Sequence, residues 1–97
     1  MHFISNSGNG NIVAMDQAGT ITAFCSGIPS GPYGLEILDS VVYACAGNSV
    51  RGYNLTTGTQ VFNLNVNASF LNGITTDGTF IYVTDFSGTK IIKVDVD

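Results

Sequence analysis

A chain of 97 residues has room for one domain, since single domains usually run to roughly 100–150 residues. Three basic side chains against seven acidic ones give a net charge of −4 and leave no cluster of cations for phosphate, which excludes nucleic acid as an expected partner. No apolar run approaches the roughly 20 residues that cross a bilayer, and no basic start leads into an apolar stretch, so neither a membrane partner nor a secretory leader is expected.

Val, Ile and Thr together number 28, Gly 12 and Asn 9. Branched side chains lose rotamer freedom in helices and fit pleated strands, while Gly and Asn supply the positive φ of tight turns. No stretch repeats apolar residues at i, i+3, i+4 and i+7 over three turns, so the chain is predicted to be all-β. In chain order, strands are expected at 2–6, 11–16 and 20–25, the first two joined by a Ser-Gly-Asn-Gly turn. Four more follow at 34–38, 41–46, 49–54 and 59–66, with Gly47-Asn48 turning the middle pair. The last three are expected at 73–76, 80–85 and 90–96, the final hairpin turning through Phe86-Ser87-Gly88-Thr89.

These elements repeat. Phe3, Tyr43 and Tyr82 are spaced 40 and 39 apart, each opening an apolar strand, and Asp16, Asn54 and Asp95 close the three hairpins. Pro32-Tyr33-Gly34-Leu35-Glu36-Ile37 recurs 39 residues later as Leu71-Asn72-Gly73-Ile74-Thr75-Thr76. With the strands of one unit lettered A to D, the chain reads B-C-D, A-B-C-D, A-B-C, in units of roughly 1–31, 32–68 and 69–97. A period near 40 with four short strands is the pattern of a β-propeller blade. Val41-Val42-Tyr43-Ala44-Cys45-Ala46 is apolar on both faces, as a strand sandwiched between blades should be. Strand D, with Asn63, Asn65 and Asn67, is polar enough for an outer edge. The competing arrangement is a two-sheet sandwich, which has no internal repeat of this period.

The run Leu71-Asn72-Gly73-Ile74, Asp77-Gly78, Ile81-Tyr82-Val83-Thr84-Asp85, Gly88 and Ile91-Ile92-Lys93-Val94-Asp95 resembles a blade of NHL-repeat and senescence-marker-protein/gluconolactonase-type propellers. The join from Gly27 to Leu35 is similar to the inter-blade join of the same group. The resemblance implies a six-bladed ring and, for the gluconolactonase-type members, a lactonase with calcium or zinc at the mouth of the central channel. It places Asn72 among the ligands of such a divalent metal, since the group carries an Asn before Gly-Ile there. Its Glu-Gly-Pro motif is absent, which makes Glu36, on an innermost strand, the substitute ligand. Tyr33 stands where the group has an Asp before a glycine, and it joins Asp85 as a candidate for substrate binding.

Each candidate also has a structural reading. Asn72 reads equally as a turn former before Gly73, and Asp85 as a turn residue accepting backbone hydrogen bonds. Glu36 faces either the channel or a neighbouring blade. His2 is the one histidine, and Cys25 and Cys45 lack metal or redox spacing, so they read as small buried apolar groups.

Closed propellers need typically four to eight blades, and this chain encodes about two and a half. An open arc is expected to leave an apolar face at each end, to be covered by copies of the chain joined face to opposite face into a ring as a dimer or trimer, or by the rest of a longer, six-bladed propeller. Two functions follow. One is a binding or scaffolding module that needs no catalytic set. The other is a metal-dependent, gluconolactonase-like hydrolase with a site shared between chains on the central axis. Carbohydrate binding is disfavoured by the absence of Trp.

Overall fold

The computed structural model describes residues 1–88 and 90–97; Thr89, in the last expected hairpin turn, lies outside them. Ten strands run through these residues: β1 (His2–Asn6), β2 (Asn11–Met15), β3 (Ile21–Cys25), β4 (Leu35–Leu38), β5 (Val41–Ala46), β6 (Ser49–Asn54), β7 (Gln60–Asn65), β8 (Leu71–Thr76), β9 (Ile81–Asp85) and β10 (Ile91–Val94). All pair antiparallel, in three sheets rather than the two of a sandwich. Sheet one is β1-β2-β3, sheet two β4-β5-β6-β7, and sheet three β8-β9-β10.

Side-chain hydrogen bonds at the strand ends set these boundaries. Asp16 Oδ1 accepts from the amides of Ala18 (2.9 Å) and Thr20 (3.0 Å), and Asn54 Oδ1 from those of Thr56 (2.9 Å) and Thr57 (3.0 Å). An Asx side chain that bonds its own downstream backbone offers the chain a turn in place of another ladder step. The expected closing roles of Asp16 and Asn54 hold. Asp95 makes the shorter version, accepting from the Asp97 amide at 3.1 Å.

The sheets stack face to face in chain order. Strand β5 alternates its side chains between the two neighbours, as a strand must. Tyr43 and Cys45 join Leu38, Val50, Leu71, Ile81, Val83 and Val94 in a core between sheets two and three. Ala44 and Ala46 join Ile12, Ile28 and Tyr53 in a second core between sheets one and two. Sheet two is therefore covered on both faces, while β7, at its far edge, is exposed along nearly its whole length. At the opposite edge β4 lies beside both β8 and β1.

Close packing of β4 against β8 depends on Gly34. A Cβ there would sit 2.6 Å from the Asn72 carbonyl oxygen and 2.9 Å from Ile74 Cγ2, and a backbone carbonyl cannot swing away as a side-chain tip can. Gly34 also accepts a 3.0 Å bond from the Cys45 amide, which fixes it in the sheet. Gly34→Ala should therefore destabilise the chain by about 1–3 kcal/mol through overpacking, more than the roughly 0.4–1 kcal/mol gained from a stiffer unfolded chain. A urea midpoint equal to or above that of the wild type would show that the two sheets part without cost.

Candidate functional site

The four residues singled out from the sequence gather at the start of β8 and along the inner strand β4. Asp85 ends β9 and is buried. Its Oδ1 accepts from the amides of Phe70 (3.1 Å) and Ser87 (3.2 Å), and its Oδ2 from that of Ser69 (3.1 Å). The Ser69 amide above all, with those of Phe70 and Ser87 and the Lys90 charge, holds this carboxyl below its ordinary range despite the opposing effect of burial. Such a carboxylate is a clamp on the chain entering β8, with its acceptor capacity largely spent on the backbone. The turn reading of Asp85 thus has its hydrogen bonds, made across a gap of 15 and 16 residues.

Tyr33 reaches the same place by a different contact. Its ring meets Phe70 edge-on at 4.7 Å, and Phe70 meets Phe86 edge-on at 5.8 Å. Aromatic pairs favour this T-shaped arrangement because a positive ring edge meets a negative face. Phe86 is 70% exposed, so the cluster presents a ring to solvent next to the Asp85 clamp.

Asn72 lies in β8 at a register shift between Leu71 and Gly73, so it occupies a bulge and not a turn. A bulge adds one unpaired residue to a strand and re-aims its side chain. Asn72 is exposed, and its Oδ1 accepts from the Thr84 hydroxyl at 3.2 Å. Glu36 lies two residues beyond Gly34 on β4, half-buried, beside a cleft of about 300 Å³ between β1 and sheet two. Among the described residues no three His, Cys, Asp or Glu side chains come close enough to hold one ion. One amide oxygen and one carboxylate fall well short of the six or so oxygens that calcium takes.

Two features escaped the sequence reading. Asp77 accepts from the amides of Thr79 and Phe80 at 2.9 Å and from the Tyr82 hydroxyl at 2.8 Å. Those bonds, that of Phe80 foremost, lower its carboxyl to about 2. Arg51 lines a second cleft of about 320 Å³ with Ser30, Ser49 and Ser69; its Nη1 donates to Gln60 Oε1 at 2.9 Å, while its buried Nε has no acceptor. Asp77-Gly78 is a turn dipeptide legible in the chain, but the pairing of Asp77 with Tyr82 across the turn is not. The two thiols sit on different cores: Cys25 packs on the core between sheets one and two, and Cys45 lies in the core between sheets two and three, both free. Burial pushes the Cys45 thiol up to about 11, consistent with its reading as a small apolar group.

The outward faces of sheets one and three differ in polarity, where two apolar faces were expected. On sheet one the register places Ile4, Val13 and Ala23 in one row and His2, Met15 and Ile21 in the next, all facing away from sheet two. Ile4 and Ile21 are 41% and 59% exposed. On sheet three the corresponding rows are Gly73, Thr84 and Ile91, then Thr75, Tyr82 and Lys93. Thr84 and Lys93 stand where sheet two has Cys45 and Gly52, and hydroxyls and an ammonium group meet water without the cost of exposing an apolar face.

In comparison with known proteins, no protein-family model matches the chain, and no curated protein matches its sequence.

The depressed carboxyls make the fold acid-sensitive in a defined window. Both groups titrate below the 3.8 of an unperturbed Asp, so their ionised forms stabilise the fold fully above that pH. The contribution is lost as pH falls from there toward about 2, where Asp77 takes up its proton. Wild-type stability should drop between pH 4.5 and pH 2.5, roughly the window the linkage relation sets, and Asp77→Asn/Asp85→Asn should flatten that drop. Urea melts at the two pH values measure it; parallel curves for the two chains would remove both carboxyls from the acid response.

Proposed function

We propose that the three sheets are consecutive blades of a propeller arc, and that the chain is a binding or scaffolding module that works as an assembly of its own copies. The stacking of the sheets supports the reading: each packs face to face on the next, with β8 and β1 both beside β4 at the inner edge. The observation that carries the assembly is the outer flank of sheet one. Its five apolar side chains form a contiguous face, of the same chemistry as the faces buried inside the arc. A contiguous apolar patch of this kind marks an interaction site.

Complementarity fixes how copies meet. The flank of sheet three carries Thr75, Tyr82, Thr84 and Lys93 beside one exposed apolar residue, Ile91, and those polar groups would be stripped of water against the apolar face of sheet one. A head-to-tail ring, which joins unlike flanks, is therefore disfavoured. The apolar flank finds its match in itself, through a two-fold axis that places the same patch on both sides.

The radius of gyration, 12.7 Å, is close to the roughly 12.5 Å of a compact domain this long. Dimerisation thus joins arcs already folded. Sedimentation at micromolar concentration should show a dimer for the wild type and a monomer with an unchanged β spectrum for Ile4→Lys/Ile21→Lys. A wild-type monomer would overturn the assembly, and a variant that stays dimeric would place the contact elsewhere.

A further inference from the structure

Strands β4 to β7 reverse direction at each step, so the β3–β4 connection, the β5–β6 turn and the β7–β8 connection all lie at one end of sheet two. Backbone bonds tie them together there. The Gly47 carbonyl accepts from the Leu71 amide at 2.8 Å, the Asn48 carbonyl from that of Val66 at 3.0 Å, and the Cys45 carbonyl from that of Tyr33 at 2.9 Å. Gly47 has a φ of 61°, and a Cβ on it would stand 3.0 Å from Ser30 Cβ, so the turn packs closely on the first connection. The cleft of about 320 Å³ at this end is lined by Ser30 of the first connection, Ser49 at the start of β6 and Ser69 of the last connection. Pockets for small molecules begin near roughly 300 Å³.

Arg51, the one arginine of the chain, lines this cleft too. Side chains alternate along β6, so Arg51 shares its face with Ser49 and with Tyr53, which lies in the core between sheets one and two. A guanidinium has five N–H donors. Here Nη1 donates to Gln60 Oε1, the buried Nε has no acceptor, and among the described residues no carboxylate pairs with the charge. Burial raises the pKa of the Tyr53 hydroxyl and the guanidinium draws it back, but that hydroxyl is neutral and leaves the Arg51 charge unbalanced. A partly buried cation is ordinarily paired, and a planar guanidinium fork fits a carboxylate in particular. Ser30 and Ser69 are exposed beside it, so their hydroxyls are open to a ligand. We propose that the cleft binds a small carboxylic acid with a hydroxyl next to its carboxyl group, the carboxylate on the Arg51 guanidinium and the hydroxyl between Ser30 and Ser69. A single negative charge suits the cleft better than a phosphate. Asp85 Oδ2 accepts from the Ser69 amide at 3.1 Å, so a carboxylate already stands behind one wall, and Arg51 alone lines the cleft to offset the repulsion of a dianion. The site is separate from the flank of sheet one and does not depend on assembly.

The test titrates the full, isotopically labelled chain with sodium lactate at constant ionic strength and follows its NMR spectrum. The Arg51 Nε–H signal and the amides of Gly47, Asn48 and Ser69 should shift together and saturate. Lactamide, which has lactate's shape without its charge, should bind at least about tenfold more weakly, and propionate, which lacks the hydroxyl, about threefold more weakly. Arg51→Gln should abolish saturation while the β spectrum stays unchanged. Ser30→Ala/Ser69→Ala should bring lactate down to the affinity of propionate and leave propionate itself unaffected. Shifts that stay linear in lactate, equal binding of lactamide, or unchanged saturation in Arg51→Gln would each overturn the proposal. Tighter binding of inorganic phosphate than of lactate would do so as well, and would assign the cleft to a phosphate. The lactamide comparison uses the wild-type chain alone, so the proposal stays open to refutation even where Arg51→Gln does not fold.

Discussion

Burial of sheet two on both faces is the constraint from which the remaining architecture follows. An antiparallel sheet commonly keeps one face in water, and then its strands alternate apolar and polar residues. Strand β5 cannot do so, because Tyr43 and Cys45 enter one core while Ala44 and Ala46 enter the other. Each fully buried Val, Ile or Leu contributes roughly 1.5–3 kcal/mol, against about 0.5–1.5 kcal/mol net for a hydrogen bond. The two cores therefore carry the stability. The Asx bonds of Asp16 and Asn54 decide where strands stop, and hence which residues reach those cores. The same constraint accounts for the small residues around β5: Gly34 admits β8 to contact, and Gly52 admits the Tyr43 ring, with Cε1 3.0 Å from where a Cβ would stand.

Much of this was legible in the sequence because the repeat is a packing repeat. The expected strands match the ten observed within about two residues at nearly every end, and their grouping as three, four and three matches the sheets. The unbroken apolar run from Val41 to Ala46 announced a strand with two covered faces. Residues whose role depends on distant partners were harder to read. Asp85 could be assigned to a turn, but its bonds to Ser69 and Phe70 depend on how β8 enters sheet three. Asn72 before Gly73 looked like a turn pair; the strand continues through it as a bulge, because pairing with β9 on both sides outweighs a local turn preference. The unlike flanks were legible in principle. Aligning Tyr43-Ala44-Cys45 with Tyr82-Val83-Thr84, and Gly52 with Lys93, already replaces apolar or small residues by polar ones on a single face.

Chemistry follows from the same geometry. Carboxylates in this chain are placed where they hold backbone: Asp85 at the entry to β8, Asp77 at the turn before β9, Asp16 at the turn before β3. A carboxylate whose acceptor sites already receive amides has little left for a metal or a proton in transfer, which is also why Asp77 and Asp85 titrate low. Of the residues the gluconolactonase-type resemblance implicates, Asn72 and Tyr33 are exposed and Glu36 half-buried. They remain open to a ligand, but each presents a different group with no shared charge focus.

The two ends of the stack of sheets differ. At its sheet-three end, Lys93 stacks over the Phe80 ring at 4.0 Å and Tyr82 is tied to Asp77, so the face satisfies its own polar groups. At the sheet-one end, the outward rows are mostly apolar, with Ile4, Val13, Ala23, Met15 and Ile21 beside His2. On the proposed reading, that flank demands area without direction, and a second copy of the same face would supply it. Ile4 points to the flank and Phe3, its neighbour, to the inter-sheet core beside the cleft, so one short strand divides two kinds of contact by alternation alone.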